Sequence, residues 1–174
     1  EFFTTLVRDR RFPAAAENIV VEFGNARFQD VMDRYVSGGD VPRRELRRVW
    51  EDTTQASGVW LPPMYEQMLA CVRSVNGALP EARRIRVLLG DPPIDWSTVT
   101  SPADNDLNDA RDAHAADVIA REVMRRRQRA LILYGGAHVS RRVVLPNSLI
   151  HLLDARFPGR TWVAVGLDYT RADA

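Results

Sequence analysis

Four short apolar runs, separated by segments with helical periodicity, constrain the fold of this chain more than any other feature. The runs span residues 18–23, 84–90, 130–136 and 161–167 and consist mainly of β-branched and leucine side chains without polar alternation. Strands of this kind are buried on both faces, which is typical of parallel sheets, and parallel strands need long crossovers. We therefore predict an α/β fold, with a mostly parallel sheet and helices on both of its faces.

Helical periodicity and proline or glycine punctuation predict helices between these strands. The predicted helices span residues 1–11, 28–36, 42–55, 63–78, 105–127 and 148–156. Residues 28–79 are predicted to form a helical insertion between the first two strands, because this interval is too long for a simple crossover, and to cover the carboxyl edge of the sheet as a lid. No linker or internal repeat divides the sequence, so residues 1–174 are predicted to form a single α/β domain.

Composition excludes several classes of function. The 24 basic and 23 acidic residues leave a net charge of +1, so no overall field favours nucleic acid or an anionic membrane. Every basic residue is an arginine, which excludes lysine Schiff-base chemistry, and the single cysteine excludes an internal disulfide or a multi-cysteine metal site. No apolar run approaches the ~20 residues of a membrane span, and no signal-peptide pattern is present. We expect a cytoplasmic protein with no membrane segment and no nucleic-acid partner.

Residues at the ends of the predicted strands are the first candidates for chemistry, because ligand crevices of open α/β sheets lie beyond the carboxyl ends of the strands. Glu22, Asp91 and His138 occupy such positions at the first, second and third strands. A carboxylate at the end of an apolar strand is costly to bury unless it is paired, which makes Glu22 a candidate base, ligand or orienting group. The alternative is an ordinary strand-end residue that faces water.

A Tyr-Gly-Gly-Ala stretch leads into His138, and its paired glycines allow a sharp turn and a close approach of a ligand to the backbone. An imidazole at that position can carry a proton or bind a metal, whereas most loop histidines have structural roles. We predict that Asp91, Tyr134, Gly135 and Gly136 bind substrate.

The helix predicted before the third strand carries two opposite charges on the side that faces the sheet. At about 100° per residue, Asp112 lies on the same stripe as Ala116 and Ile119, and Arg111 flanks that stripe. An arginine–aspartate pair there could fix a substrate oxyanion or orient His138. The structural alternative is an acidic residue stabilised by ~0.3–1 kcal/mol near a helix N-terminus.

Other notable features are predicted to be structural. Cys71 shares an apolar helical face with Met68 and is expected to be a buried thiol. The arginine-rich run 125–129 ends a predicted helix, where cations suit the helix dipole, so a solvated end is expected. His114 and Asp117 lack a third ligand for a metal, and the sequence contains no Gly-x-Ser-x-Gly elbow, P-loop or GxGxxG motif.

Three segments, taken in chain order, resemble a known superfamily. They are the strand ending in Val-Val-Glu22, the helix with Arg111-Asp112, and the strand running into Gly135-Gly136-Ala137-His138. The superfamily joins erythromycin esterase-like hydrolases, ChaN-like haem-binding lipoproteins and TraB/Tiki-type proteases. The sequence Asp-Arg-Tyr-Val-Ser-Gly-Gly at 33–39 is similar to the helical insertion of ChaN-like proteins, and the resemblance spans most of the chain.

The resemblance implies one pocket that contains Glu22, Arg111, Asp112 and His138. Because parallel strands bring their carboxyl ends to one edge of the sheet, we predict that these four side chains converge on one cleft. Members of the superfamily usually begin with a strand followed by Gly-Glu-x-His, which is missing here, so the chain is expected to be incomplete at its N-terminus. Secreted ChaN-like members carry a lipoprotein signal, so a secreted lipoprotein is the alternative to a cytoplasmic protein.

Two functions of different classes follow. The first is a hydrolase that acts on an ester or amide of a small molecule or peptide. In this hypothesis a neutral His138, or the histidine of the missing Gly-Glu-x-His motif, deprotonates water. Arg111 stabilises the oxyanion, and Glu22 and Asp112 hold the imidazole and the arginine. The alternative is a haem- or metal-binding protein without catalysis, with Tyr134, His138 or a methionine as ligand and haem or a divalent metal as cofactor. A catalytically silent interaction domain is the third reading.

Overall fold

The computed structural model describes residues 1–55, 58–101, 107, 109–142 and 147–164. In this part of the chain, three parallel strands form one sheet: β1 (Asn18–Asn25), β2 (Arg86–Asp91) and β3 (Ala130–Leu133). Their order is β2-β1-β3, with Val20 of β1 opposite Leu88 on one side and Ile132 on the other. The predicted α/β fold with a parallel sheet is confirmed.

Eight α-helices surround the sheet in the described residues. They are α1 (Phe2–Arg8), α2 (Phe12–Ala15), α3 (Gln29–Val36), α4 (Arg43–Glu51), α5 (Met64–Gly77), α6 (Arg111–Ile119), α7 (Gly136–Val139) and α8 (Leu149–Arg156). A π-helical segment, Ala120–Met124, extends α6, and 3-10 turns precede α3 and β2. Among these helices, none is both long enough and apolar enough to cross a membrane.

The central strand β1 is buried along its whole length because it lies between two strands and beneath helices on both faces. Successive strand residues point to opposite faces of a sheet. Ile19 and Val21 accordingly pack into a core with α1, α3, α4 and α5, whereas Val20 packs with Leu88 against α6 and α8. A continuous apolar run is what such a position requires.

The two crossovers of the sheet lie on opposite faces. Helices α3, α4 and α5 connect β1 to β2 on one face, and α6 connects β2 to β3 on the other. After β3 the chain continues into α8, which packs beside α6. The chain therefore leaves the neighbouring strands β1 and β3 toward opposite faces, and the topological switch point lies at their carboxyl ends.

The 28–79 segment folds as helices, but most of it covers one face of the sheet. Helices α3 and α5 contact each other and belong to the core on that face. Asn76 of α5 is buried and donates to the carbonyl oxygens of Val36 and Ile85, while its own oxygen accepts from the Ile85 N–H. This amide ties α5 both to the end of α3 and to the entry into β2.

The connection between α4 and α5 is the part of this insertion that reaches the carboxyl edge. The carbonyl of Asp52 accepts a hydrogen bond from the Asn25 side chain, and the carbonyl of Thr53 accepts one from the Trp96 indole. The sequence predicts that the whole segment 28–79 covers the carboxyl edge, but among its described residues only the connection between α4 and α5 reaches it. Helices α3 and α5 instead pack their apolar sides on the face of the sheet.

Several predicted elements differ from the structure. The third strand ends at Leu133 instead of residue 136, and the helix predicted at 42–55 ends at Glu51. The first helix ends at Arg8 because Asp9 turns to an extended conformation, and α2 follows with Pro13 in its first turn. The helix predicted at 105–127 begins at Arg111, and residues 105, 106 and 108 lie outside the described residues. Of the fourth predicted strand, residues 161–164 form no strand and 165–167 lie outside the described residues. Trp162 is 88% exposed, and an apolar run without a pairing partner does not become a strand.

Candidate active site

Five charged side chains meet at the carboxyl edge of the sheet. Glu22 belongs to β1, Asp91 ends β2, Arg111 and Asp112 open α6, and His138 lies in α7 after β3. They form one chain of contacts in which acidic and basic groups alternate, from Asp91 through Arg111, Glu22 and His138 to Asp112. The side chains predicted to converge lie together at the switch point, and Asp91 joins them.

Arg111 bridges two carboxylates in the interior of the protein. Its Nε donates to Oδ1 of Asp91 at 3.0 Å, and its Nη2 donates to Oε1 of Glu22 at 3.1 Å. The Arg111 side chain is 7% exposed, that of Glu22 10% and that of Asp91 0%. Burial of one such charge is costly unless it is paired and hydrogen-bonded, so the three groups depend on one another.

Asp91 is held by Thr54 as well as by Arg111. The Thr54 N–H donates to Oδ2 at 2.7 Å, and the Thr54 hydroxyl donates to Oδ1 at 2.6 Å. Burial raises the pKa of Asp91, and the donors on Thr54 and Arg111 offset part of that rise. The sequence predicts a substrate-binding role for Asp91, but the structure buries this carboxylate completely, so it acts inward and orients Arg111. Thr54 was missed because a threonine in a loop carries no periodic or motif signal.

Glu22 is fixed from three directions. Its Oε2 accepts the Gly135 N–H at 2.6 Å, and its Oε1 faces both Arg111 and Nε2 of His138, the latter at 3.4 Å. Burial acts to raise the pKa of Glu22. The hydrogen bonds from His138 and Gly135 and the charges of His138 and Arg111 outweigh burial, and they hold the pKa below its ordinary value. Glu22 is therefore an ionised carboxylate at neutral pH.

His138 lies between two carboxylates. Its Nδ1 is 2.6 Å from Oδ1 of Asp112, and its Nε2 faces Glu22. The hydrogen bonds that the ring donates to Asp112 and then to Glu22 raise the pKa of His138 from 6.5 to about 9, against the effect of burial. The imidazole thus carries a proton at neutral pH, in contrast to the neutral base that the sequence predicts. Its side chain is 25% exposed, which makes it the most accessible member of the network.

Tyr134 forms an apolar wall beside this histidine. Its ring meets the His138 ring edge-on, with centroids 5.9 Å apart. The Tyr134 hydroxyl is buried without a hydrogen-bond partner in the described residues, and burial raises its pKa well above the ordinary value. A Cβ at Gly90 would lie 1.8 Å from this oxygen, so the glycine makes room for it. The sequence predicts that Tyr134 binds substrate, and the structure places its hydroxyl in the interior beside Gly90.

The two glycines before His138 have different surroundings. The Gly135 N–H is committed to Glu22, so it serves the network instead of a ligand. Gly136 begins α7, is exposed, and would place a Cβ in open space. Of the residues predicted to bind substrate, Gly136 is the one whose surroundings leave room for a ligand.

The donors near the site do not fit haem or a divalent metal. The Tyr134 hydroxyl is buried against Gly90, and both ring nitrogens of His138 contact carboxylates. Across the described part of the chain, no group of three or more histidine, cysteine, aspartate or glutamate side chains is arranged to hold a metal ion.

Comparisons of the chain with protein-family models, curated proteins and solved structures found no match. The resemblance to the erythromycin esterase-like and ChaN-like superfamily therefore stays a prediction. The charges and distances of the network at the carboxyl edge are therefore the basis for a function.

Proposed function

We propose that this protein hydrolyses ester or amide bonds, with Glu22 and His138 as an acid–base pair. The observation that carries the proposal is the 3.4 Å contact between Nε2 of His138 and Oε1 of Glu22 at the switch point of the sheet. At neutral pH the carboxylate can accept a proton and the imidazolium can donate one. Such a pair supplies both proton transfers that hydrolysis needs.

The reaction begins when Glu22 removes a proton from a water molecule whose oxygen attacks the carbonyl carbon of the substrate. His138 then donates its Nε2 proton to the leaving oxygen or nitrogen as the carbon–oxygen or carbon–nitrogen bond breaks. The products are a carboxylic acid and an alcohol or amine. The proton on Glu22 passes to the neutral imidazole across the 3.4 Å contact, which restores both starting charges.

The other members of the network position this pair. Asp112 holds Nδ1 of His138 and keeps the ring protonated, while Arg111 fixes Glu22 from the opposite side. Because the Arg111 side chain is only 7% exposed and both of its bonded nitrogens face carboxylates, it is a positioning residue in this proposal. This differs from the oxyanion role that the sequence predicts for it.

Exposure argues against a purely structural network. The bridge of Arg111 between Glu22 and Asp91 is complete without His138, and all three are buried. The histidine adds a titratable group at the solvent side of that bridge, next to the exposed Gly136. Strongly shifted pKa values at a sheet edge of this kind are more common in active sites than elsewhere. The resemblance to erythromycin esterase-like hydrolases supports the same reaction class by analogy.

Hydrolysis of activated esters, such as p-nitrophenyl acetate and p-nitrophenyl butyrate, tests the proposal. Glu22→Gln and His138→Asn are expected to lower kcat/KM by about a hundredfold or more, because each removes one proton transfer. His151→Asn is the matched control, since His151 lies on α8 and its Nδ1 contacts Ser148 outside the network. Wild-type rates in His138→Asn, with a folded protein by circular dichroism, would overturn the proposal.

The pH profile separates this proposal from a neutral-base mechanism. Since the pKa of His138 is about 9, kcat/KM is expected to fall as pH rises through about 9. A neutral histidine base would give a rate that increases through the same range. Asp112→Asn removes the larger cause of the shift, so the falling limb should move to lower pH.

A further inference from the structure

A charged cavity lies at the amino end of the sheet, opposite the candidate active site. Its volume is about 370 Å³, and its lining comes from residues next to the starts of all three strands. Four arginines contribute to it: Arg83, Arg84, Arg86 and Arg126. This volume is within the range of small-molecule sites, and the lining includes only one carboxylate, Glu17.

Some charges around the cavity are already neutralised by ion pairs. Arg86 is bonded to Asp33 and Glu122, Arg126 to Glu122, and Glu17 to Arg129. In these pairs the positive charges of the arginines are offset by the negative charges of the carboxylates. The pairs also hold the walls of the cavity in place, because they join the entry of β2 to α3 and to the segment that follows α6.

Two lining arginines have no carboxylate partner among the described residues: Arg83 and Arg84. Arg83 is exposed, and Arg84 donates through Nη1 to the carbonyl of Ser37 at 3.2 Å. The Nε of Arg84 is buried and has no acceptor in the part of the chain that the structure describes. Unmatched buried donors are rare and costly, and an anion in the cavity would supply the acceptor after a small turn of the guanidinium.

We propose that this cavity binds a small phosphate-bearing anion through the guanidinium groups of Arg83 and Arg84. Guanidinium forks match the geometry of phosphate oxygens and stay charged at any physiological pH. Arg126 also lines the cavity and adds positive potential, although it is paired with Glu122. The site is at the other end of β1 from Glu22, so it does not rest on the proposed hydrolase activity.

Calorimetric titration of the whole chain with inorganic phosphate and with glycerol 3-phosphate tests this site, with acetate as the carboxylate comparison. Saturable binding of both phosphate compounds, tighter than that of acetate, is expected. The double variant Arg83→Gln/Arg84→Gln should weaken phosphate binding by about tenfold or more. The control Arg44→Gln/Arg142→Gln loses the same charge from exposed arginines outside the cavity and should bind as the wild type does.

Three results would overturn the proposal: no saturable phosphate binding by the wild type, equal or tighter binding of acetate, or equal weakening in the control. The last result would show that overall charge alone accounts for the binding. Should the double variant fail to fold, Arg83→Gln alone serves, because its side chain is exposed and has no bonded partner in the described residues. This single variant should also weaken phosphate binding, and unchanged affinity would contradict the site.

Discussion

Replacement of Arg111 by methionine removes the cation between two buried carboxylates and keeps a side chain of similar length. Asp91 would retain its two donors from Thr54, and Glu22 would retain those from Gly135 and His138. Loss of one partner from a buried ion pair costs about 3–5 kcal/mol. Because both carboxylates keep other donors, we expect a loss near the lower end, about 3 kcal/mol in the free energy of unfolding.

Urea denaturation followed by circular dichroism measures this loss, and Arg86→Met is a matched control. Arg86 also bridges two carboxylates, Asp33 and Glu122, at 2.8–3.0 Å, but its side chain is 35% exposed. Exposed pairs contribute about 1 kcal/mol or less, so Arg86→Met should cost far less than Arg111→Met. Equal losses in the two variants would refute the argument that burial sets the cost.

The pH dependence of the Arg111→Met loss gives a second check. Burial raises the pKa of Asp91, and removal of the guanidinium raises it further, because the guanidinium favours the ionised carboxylate. A carboxyl whose folded-state pKa lies above its unfolded value destabilises the protein at high pH and less so as pH falls. The difference in stability between wild type and Arg111→Met should therefore shrink as pH decreases from neutral, and a constant difference would contradict it.

The remaining predictions concern three residues. The pKa of His138, followed by NMR, should be about 9, well above its ordinary 6.5, and Asp112→Asn should lower it. The stabilisation that His138 contributes is therefore fully present below pH 6.5 and is lost as pH rises through about 9. The free energy of unfolding of the wild type should decrease across that range, whereas that of His138→Asn should not. Tyr134→Phe removes a buried hydroxyl that has no partner in the described residues. We expect the free energy of unfolding to increase by about 1 kcal/mol, measured by urea denaturation. Asn76→Ala leaves three backbone groups unbonded and should cost about 2 kcal/mol or more, measured in the same way.

The parallel sheet could be predicted because a strand that is buried on both faces has a continuous apolar sequence without polar alternation. Residues 19–21 and 87–89 are apolar at successive positions and so on both faces, as strands covered on both sides must be. The same rule predicted a strand at 161–167, and there it was wrong for residues 161–164. An apolar run shows that a segment is hydrophobic. Whether that segment forms a strand depends on a neighbouring strand with which it can pair.

The location of the candidate site could also be predicted, since strand ends and the inner stripe of a helix follow from position along the chain. Glu22, Arg111, Asp112 and His138 meet as that geometry predicts. Their charge states could not be predicted, because the protonation of His138 depends on two carboxylates at 2.6 and 3.4 Å from its nitrogens. The bond between Thr54 and Asp91 depends on the path of a loop, which has no periodic signature.

The bridge of Arg111 between Glu22 and Asp91 restricts how this sequence can evolve. A neutral replacement of Arg111 leaves two carboxylates in the interior without their shared cation, and a neutral replacement of Glu22 or Asp91 removes one of the two partners of Arg111. A coordinated exchange of all three to apolar residues of similar volume can be neutral for stability. Single substitutions at positions 22, 91 and 111 are therefore disfavoured, although these positions lie far apart along the chain. Among homologous chains, these positions are expected to change together or remain as they are, which gives alignments a covariation signal linking β1, β2 and α6.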